Sequence, residues 1–152
     1  MRTLELDWAD LELAFRDATG AESYLDTDSG EVITLVRGFD DEKDIRDKLK
    51  RFPSRFVRIV PVDKAFTKRV LDAFVARQKG GAWQKRLAEA VAGPGGITRA
   101  MALLHEDKSA LAAFARLEQS ELVSLVEAFL EEHGLKSGTA PPALDLFEGL
   151  AS

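Results

Sequence analysis

The residues of this sequence that could bind an anion or a partner are concentrated in a basic stretch between Lys43 and Arg58. Seven cations alternate there with Phe52 and Phe56. Cations and aromatic rings interleaved in this way can hold the backbone and stack the bases of a single-stranded nucleic acid. With further cations downstream they form a candidate surface for an anion or a partner. It comprises Lys43, Arg46, Lys48, Lys50, Arg51, Arg55, Arg58, Lys64, Lys68, Arg69 and Arg99.

A structural role accounts for the same stretch. Its acids and bases stand four residues apart, which is typical of a solvated amphipathic helix. The expected pairs are Glu42/Arg46, Asp44/Lys48 and Asp47/Arg51. Phe52 and Phe56 fall where the core needs apolar side chains. We therefore favour a helix and a strand with ion pairs on their surface, and nucleic-acid binding stays as the alternative.

Motifs for catalysis, metal binding or phosphate binding are missing from the sequence. It has no Cys, and its two His, His105 and His133, stand near predicted helix C-termini, where a capping role is expected. The segment 26–30 starts like a calcium loop, but its twelfth position is Arg37, so we expect a hairpin turn. The segment 93–96 lacks the lysine of a nucleotide-binding loop, so we expect a helix end and a turn. We predict no catalytic residue, metal or cofactor.

The charge of the chain is strongly polarised. The formal net charge of its 152 residues is −5. Residues 1–42 hold 3 basic against 12 acidic side chains, residues 43–99 hold 15 against 5, and residues 100–152 hold 3 against 9. Such a distribution suits docking onto a partner of complementary charge. Without Cys and without an apolar run of membrane-spanning length, the sequence predicts a cytoplasmic protein that does not enter a membrane.

The pattern of apolar residues predicts an α+β fold with segregated halves. An N-terminal helix should be followed by a small three-stranded antiparallel sheet, with strands at residues 23–26, 31–36 and 55–60. From residue 63 onward the pattern is helical, and this C-terminal half should pack on the first. Residues 107–133 contain neither Gly nor Pro. Their apolar rhythm weakens near residues 116–120, which favours two helical segments over one long helix.

The domain prediction is a single α+β domain over residues 1–135, followed by a linker and a short apolar tail over 136–152. Leu144, Phe147 and Leu150 would line one side of a helical turn in that tail. We expect this side to dock on the body of the protein or on another chain.

Four short motifs follow one another along the chain: Trp8–Leu11, Tyr24–Val32, Phe66–Phe74 and Ala90–Gly96. Together they resemble the bacterial uncharacterised protein family 0158, which has a tryptophan-bearing first helix, a Tyr-Leu-Asp…Thr-Gly-Glu-Val hairpin and a late alanine-glycine turn. The resemblance covers most of residues 3–135. Where that family continues with an aromatic and two basic residues, this chain keeps only Arg99. The family has no assigned function, so the resemblance implies a relative and no activity.

The function predicted from these observations is that of a non-enzymatic protein-interaction or regulatory module with a protein partner. One alternative is binding of RNA or single-stranded DNA through the basic region 43–69. Another is a carboxylate-based enzyme, which would need a carboxyl group of raised pKa in a cleft. A second copy of the chain also stays open as a partner.

Overall fold

A computed structural model describes residues 1–142 and confirms the predicted α+β fold. Two compact units make up this range: Met1–Val62 with Val123–Pro142, and Asp63–Leu122. In chain order the elements are β1 (Arg2–Leu4), α1 (Trp8–Arg16), β2 (Glu22–Asp26), β3 (Val32–Leu35), α2 (Glu42–Arg51), β4 (Phe56–Ile59), α3 (Lys64–Arg77), α4 (Ala82–Val91), α5 (Gly96–His105), α6 (Lys108–Glu132) and β5 (Leu135–Ser137).

The first unit contains the predicted three-stranded antiparallel sheet, in the order β3-β2-β4. Ser23 of β2 lies opposite Thr34 of β3 and opposite Ile59 of β4. Because directly paired residues share a face, Ile59 and Leu25 lie on one face of the sheet, and both are fully buried. The opposite face carries Tyr24 and stays partly open to solvent.

Helix α1 begins as the sequence indicates. The carboxylate of Asp7 accepts a hydrogen bond from the backbone N–H of Asp10 at 3.2 Å, as an N-cap residue does. Trp8 and Phe15 lie at helical spacing on the buried face. The ring of Phe15 meets that of Phe129 edge to face, with centroids 5.4 Å apart.

A second, two-stranded sheet was not predicted. In it β1 pairs with β5 in parallel, so residues 136 and 137, predicted as the start of a linker, belong to a strand. The contact continues past the strand, since the N–H of Gly138 donates to the carbonyl of Leu4 at 2.7 Å. The indole N–H of Trp8 donates to Ser137 Oγ at 3.1 Å and to the Thr139 carbonyl at 3.0 Å. This segment is therefore part of the folded first unit.

The second unit is helical. Asp63 caps α3 by accepting the N–H of Phe66 at 3.2 Å. Phe74 of α3 packs edge to face on Phe114, with centroids 5.7 Å apart. The predicted division of the long C-terminal helix is wrong, because α6 runs without a break from Lys108 to Glu132. Leu117 and Leu122 stay buried on either side of the polar residues that suggested a bend.

The predicted tail residues Leu144, Phe147 and Leu150 lie outside the described residues. Within residues 1–142, no helix combines the length and the apolar character that crossing a bilayer requires.

Candidate interaction surface

The segment that starts like a calcium loop is a hairpin turn closed by Asp26. This side chain is almost fully buried, with 2% of its surface exposed. Its Oδ1 atom accepts the backbone N–H groups of Asp28 at 2.9 Å and Ser29 at 3.3 Å. The turn ends at Gly30, whose φ of +81° favours glycine. These contacts confirm the predicted turn.

Asp26 also holds Arg55, one of the candidate anion-binding cations. The guanidinium donates from Nε to Oδ1 at 2.9 Å and from a terminal nitrogen to Oδ2 at 2.8 Å. It lies near the rings of Phe52 and Phe56, 5.9 Å and 5.3 Å from their centroids. The Arg55 guanidinium keeps the pKa of Asp26 well below its usual range. Arg55 is therefore committed to an ion pair inside the fold.

Two further cations of the first unit have partners in the fold. Arg58 lies 3.6 Å from the carboxylate of Glu22 and its guanidinium is 5.5 Å from the ring centroid of Tyr24. The Tyr24 hydroxyl donates to the same carboxylate at 3.0 Å. Arg46 pairs with Glu42 at 3.7 Å, which is one of the three predicted helical pairs.

The candidate cations of the second unit are partly engaged as well. Lys68 contacts Asp72 at 2.7 Å, and the guanidinium of Arg69 lies 5.8 Å from the Phe66 centroid. The structure brings Lys64 and Lys68 to one cleft of about 380 Å³ with the glycine turn before α5. Lys64 is exposed, and no ion pair to it is found within residues 1–142.

Arg99 supports the glycine turn itself. Its guanidinium donates to the carbonyls of Ala90, Ala92 and Pro94 at 3.0, 2.6 and 2.7 Å. These are carbonyls at the end of α4 and just after it, so Arg99 satisfies groups that the helix leaves without partners. At Gly96 a Cβ atom would lie 2.1 Å from the Val91 carbonyl oxygen. The segment 93–96 thus forms the predicted helix end and turn, and close packing explains why glycine stands at position 96.

Four of the candidate cations that have no ion pair within residues 1–142 lie on α2. No residue of this helix is buried. The predicted pairs Asp44/Lys48 and Asp47/Arg51 do not form, so Lys48 and Arg51 are exposed without an ion pair in the described chain. Lys43 and Lys50 are in the same situation.

Phe52 lies beside two of these cations. Lys48, Arg51 and Phe52 stand at spacing i, i+3 and i+4, which makes them neighbours at the C-terminal end of α2. Phe52 was expected in the core, but 43% of it is exposed, whereas Phe56 is buried at 8%. The α2 end surface, as we call these three residues, combines an exposed aromatic ring with two positive charges that have no ion pair in the part of the chain that the structure describes. A second exposed ring, Phe39 at 64%, precedes the helix and was not singled out from the sequence.

The remaining candidate groups have structural roles. Nδ1 of His105 lies 2.7 Å from the Met101 carbonyl oxygen, and Nδ1 of His133 lies 2.9 Å from that of Phe129. Hydrogen bonds from the backbone and side chain of Thr19 lower the pKa of Asp17. The pKa values of Asp17 and Asp26 are both lowered, whereas an acid catalyst needs a carboxyl group of raised pKa. Among the described residues, no cluster of His, Asp or Glu is arranged to hold a metal ion.

Comparisons with protein-family models, with curated proteins and with solved structures find no match for this chain.

Proposed function

We propose that this chain is a non-enzymatic protein-interaction module whose α2 end surface binds an acidic, partly apolar segment of a partner protein. The observation that carries the proposal is the exposed Phe52 ring beside Lys48 and Arg51, two cations that form no ion pair with any residue between 1 and 142. Aromatic rings and Arg are the residue types that contribute most to binding energy when a partner covers them.

The position of the cations alone has a simpler explanation. Basic side chains in the last turn of a helix interact favourably with its dipole, and Lys48, Lys50 and Arg51 all stand there. That explanation does not extend to Phe52, whose ring gains nothing from the dipole. An exposed ring next to unpaired cations fits a partner that offers both carboxylates and apolar side chains.

A protein partner fits this surface better than a nucleic acid does. Of the two arginines that flank Phe52 in sequence, Arg55 already donates two hydrogen bonds to Asp26, which leaves fewer of its donors for a phosphate. Asp44 and Asp47 are exposed on the same short helix and would repel a phosphate backbone. A protein segment can place its own cations opposite these acids, which a polyphosphate cannot do.

Three other statements stay predictions from the sequence. These are the cytoplasmic location, a regulatory role and the resemblance to the bacterial uncharacterised protein family 0158. The resemblance supplies no activity that could be tested in place of binding.

Fluorescence anisotropy with three labelled probes tests the proposal. The probes are a net acidic peptide of Glu and Leu that also carries two Lys, the matching peptide with Glu and Lys exchanged, and a single-stranded oligothymidylate. We expect the acidic peptide to bind most tightly, and Phe52→Ala to weaken it about ten-fold, which corresponds to roughly 1.4 kcal/mol. Lys48→Glu should weaken it by a similar factor.

Matched controls come from the same helix and its approach. Lys43→Glu changes the net charge as Lys48→Glu does, but Lys43 lies on another side of α2. Phe39→Ala likewise removes an exposed ring away from the surface. If both controls weaken binding as much as their counterparts, the attraction is not local and the proposal fails. Tighter binding of the oligothymidylate, with a steep dependence on salt, would instead establish the nucleic-acid alternative.

A further inference from the structure

The three-stranded sheet of the first unit has a free edge at β3. Within residues 1–142 this strand pairs with β2 on one side and with no strand on the other. A strand edge presents N–H and C=O groups that can pair with another chain. Which groups of β3 point outward follows from the hydrogen bonds that are made.

Two hydrogen bonds show which backbone groups of β3 point toward β2 and which point away. The N–H of Asp26 donates to the Glu31 carbonyl toward β3, and the N–H of Thr27 donates to the Arg55 carbonyl toward β4, both at 2.8 Å. In antiparallel pairs, hydrogen-bonded and non-bonded positions alternate. The backbone groups of Ile33 therefore point at β2, and those of Val32 and Thr34 point away from the sheet.

The opposite edge of the sheet is protected, whereas β3 is not. Strand β4 carries the charged Arg58 among its four residues, and Pro61 follows the strand. Charges and proline are common ways to keep an edge from pairing. Strand β3 reads Val-Ile-Thr-Leu, without a charge or a proline.

The sequence around β3 is complementary to itself. Read from Glu31 to Arg37 it is Glu-Val-Ile-Thr-Leu-Val-Arg. If two copies pair antiparallel with Thr34 opposite Thr34, Glu31 of each copy stands opposite Arg37 of the other. The apolar residues then stand opposite one another, Val32 facing Val36 and Ile33 facing Leu35.

This register also satisfies the backbone. It sets the outward groups of Thr34 opposite those of the second Thr34, as a hydrogen-bonded antiparallel ladder requires, and the N–H of Val36 opposite the carbonyl of Val32. The Val36 carbonyl already accepts the N–H of Phe39 at 3.2 Å in the turn after β3, so the pairing rests mainly on the four residues of the strand. A shift of the two-fold centre by one residue would place Glu31 opposite Leu35 or Arg37 opposite Ile33. Opposite charges are paired only with the centre at Thr34.

The surroundings of the edge have room for a second copy. Thr34 and the side chains of Glu31 and Arg37 are exposed, and neither charged group has an ion pair within 4 Å in the described part of the chain. A cleft of about 380 Å³ borders Leu35 and Arg37, and one of about 490 Å³ borders Val32 and Thr34. Leu13 lines the second cleft and is 67% exposed.

We propose that β3 of one copy of this chain pairs antiparallel with β3 of a second copy, about a two-fold axis at Thr34, to form a continuous six-stranded sheet. The interface is isologous, since the same residues contribute from both sides. A strand of four residues provides few hydrogen bonds, so the dimer is weak and depends on concentration. The proposal concerns a different surface from the α2 end and does not rest on the proposed function.

Sedimentation equilibrium over a range of concentrations tests the pairing. We expect the full chain to dimerise with a dissociation constant below about 1 mM. Thr34→Pro should abolish the dimer, because proline removes an N–H that points away from β2 and leaves the backbone hydrogen bonds within the sheet intact. It also removes the side-chain hydrogen bond between Thr34 Oγ1 and Ser23 Oγ at 3.1 Å, and Thr34→Val, which loses that bond but keeps the N–H, is the control. Circular dichroism of each variant shows whether the monomer keeps its fold.

A charge swap makes the test specific. Arg37→Glu places two carboxylates opposite each other at both ends of the ladder and should weaken the dimer at least ten-fold. The double variant Glu31→Arg/Arg37→Glu restores opposite charges across the axis and should recover most of this loss. Glu31 and Arg37 lie beyond opposite ends of the four-residue strand β3, so no pair within one chain can explain a recovery.

The double variant is compared with Arg37→Glu and not with Glu31→Arg. The hydrogen bond from Arg55 to Asp26 is the main cause that raises the pKa of Arg55, and the negative charge of Glu31 adds to this effect. Glu31→Arg alone would therefore also disturb the ion pair between Arg55 and Asp26. A chain that stays monomeric up to about 1 mM would overturn the proposal. So would a dimer that Arg37→Glu leaves unchanged, or one that the charge swap fails to recover while the fold is intact.

Discussion

Replacing Asp26 with Asn tests the ion pair that joins the β2–β3 turn to the residue before β4. The amide oxygen of Asn can still accept the N–H groups of Asp28 and Ser29, so the turn is kept. What is lost is the negative charge, together with the hydrogen bond from Arg55 to Oδ2 at 2.8 Å, because an NH2 group replaces that oxygen; the amide oxygen can still accept from Arg55 Nε, which is 2.9 Å from Oδ1. The substitution therefore isolates the charge from the turn.

The magnitude follows from the burial of the two partners. Hydrogen bonds to charged groups contribute about 1.5–3 kcal/mol each when buried. Asp26 is buried, but 37% of the Arg55 side chain is exposed, so water screens the pair and the gain must be discounted. We expect Asp26→Asn to lower the free energy of unfolding by about 2 kcal/mol at neutral pH.

The pH dependence of this difference has a defined sign. Folding lowers the pKa of Asp26 from its ordinary value of 3.8, mainly through the hydrogen bonds from Arg55. In that range the unfolded chain binds more protons than the folded one, so stability rises with pH. The contribution of Asp26 is complete above pH 3.8 and is lost as the pH falls below it. The stability gap between the wild type and Asp26→Asn should therefore close in acid.

Urea unfolding followed by tryptophan fluorescence measures the gap. In a Trp83→Phe background the signal comes from Trp8, which is buried in the same unit as Asp26. Asp28→Asn is the matched control, because its side chain is 58% exposed and contacts Arg55 only at 3.5 Å. If the stability difference is near zero at neutral pH, or stays constant through the acid range, the charge of Asp26 does not stabilise the fold through Arg55. An equal loss of stability in the control would lead to the same conclusion.

Three further substitutions test packing and backbone satisfaction. Gly96→Ala should destabilise the second unit by about 1–3 kcal/mol in thermal unfolding scans, because its Cβ would lie 2.1 Å from the Val91 carbonyl oxygen. The control is Gly80→Ala, where the nearest atom to a Cβ would be at 3.8 Å, and it should be nearly neutral. Trp8→Phe should cost about 1–2 kcal/mol in urea unfolding, since it removes the N–H that donates to the segment after β5. Arg99→Met should lower the melting temperature, because three carbonyls at the end of α4 lose their donor, whereas Arg99→Lys should recover part of the loss.

The features that could be predicted from sequence are those set by neighbouring residues. The β2–β3 hairpin has turn-forming residues between two runs of β-branched and aromatic residues, and the N-caps Asp7 and Asp63 precede amphipathic segments. The pairing of β1 with β5 joins segments that are more than a hundred residues apart, and a three-residue strand leaves no alternating pattern. Helix α6 is continuous with Leu117 and Leu122 both buried. A local interruption of the apolar pattern in the sequence does not predict that burial.

The side-chain contacts of the candidate surface likewise depend on residues that are distant in sequence. Sequence identified the cations but not their partners, because Asp26 and Arg55 are 29 residues apart and meet only across the sheet. The spacing of Asp44 and Lys48 predicted a pair that does not form, which is consistent with how little an exposed ion pair gains. The exposure of Phe52, on which the proposed function depends, had no local signal because Phe56 has the same residue type and is buried.

The α2 end surface and the β3 edge belong to the same compact unit but share no residue, so the two proposals can be combined in one measurement. A dimer through β3 would carry two copies of the α2 end surface, and a partner with two acidic segments would then bind with avidity. At protein concentrations above the dissociation constant of the dimer, Arg37→Glu should weaken binding of a tandem acidic peptide by at least ten-fold and leave binding of a single acidic peptide unchanged. An equal loss for both peptides would mean that Arg37 contacts the peptide itself, and the two surfaces could not then be independent. An unchanged affinity for the tandem peptide would refute the combination, because a dimer that cannot engage two segments at once provides no avidity.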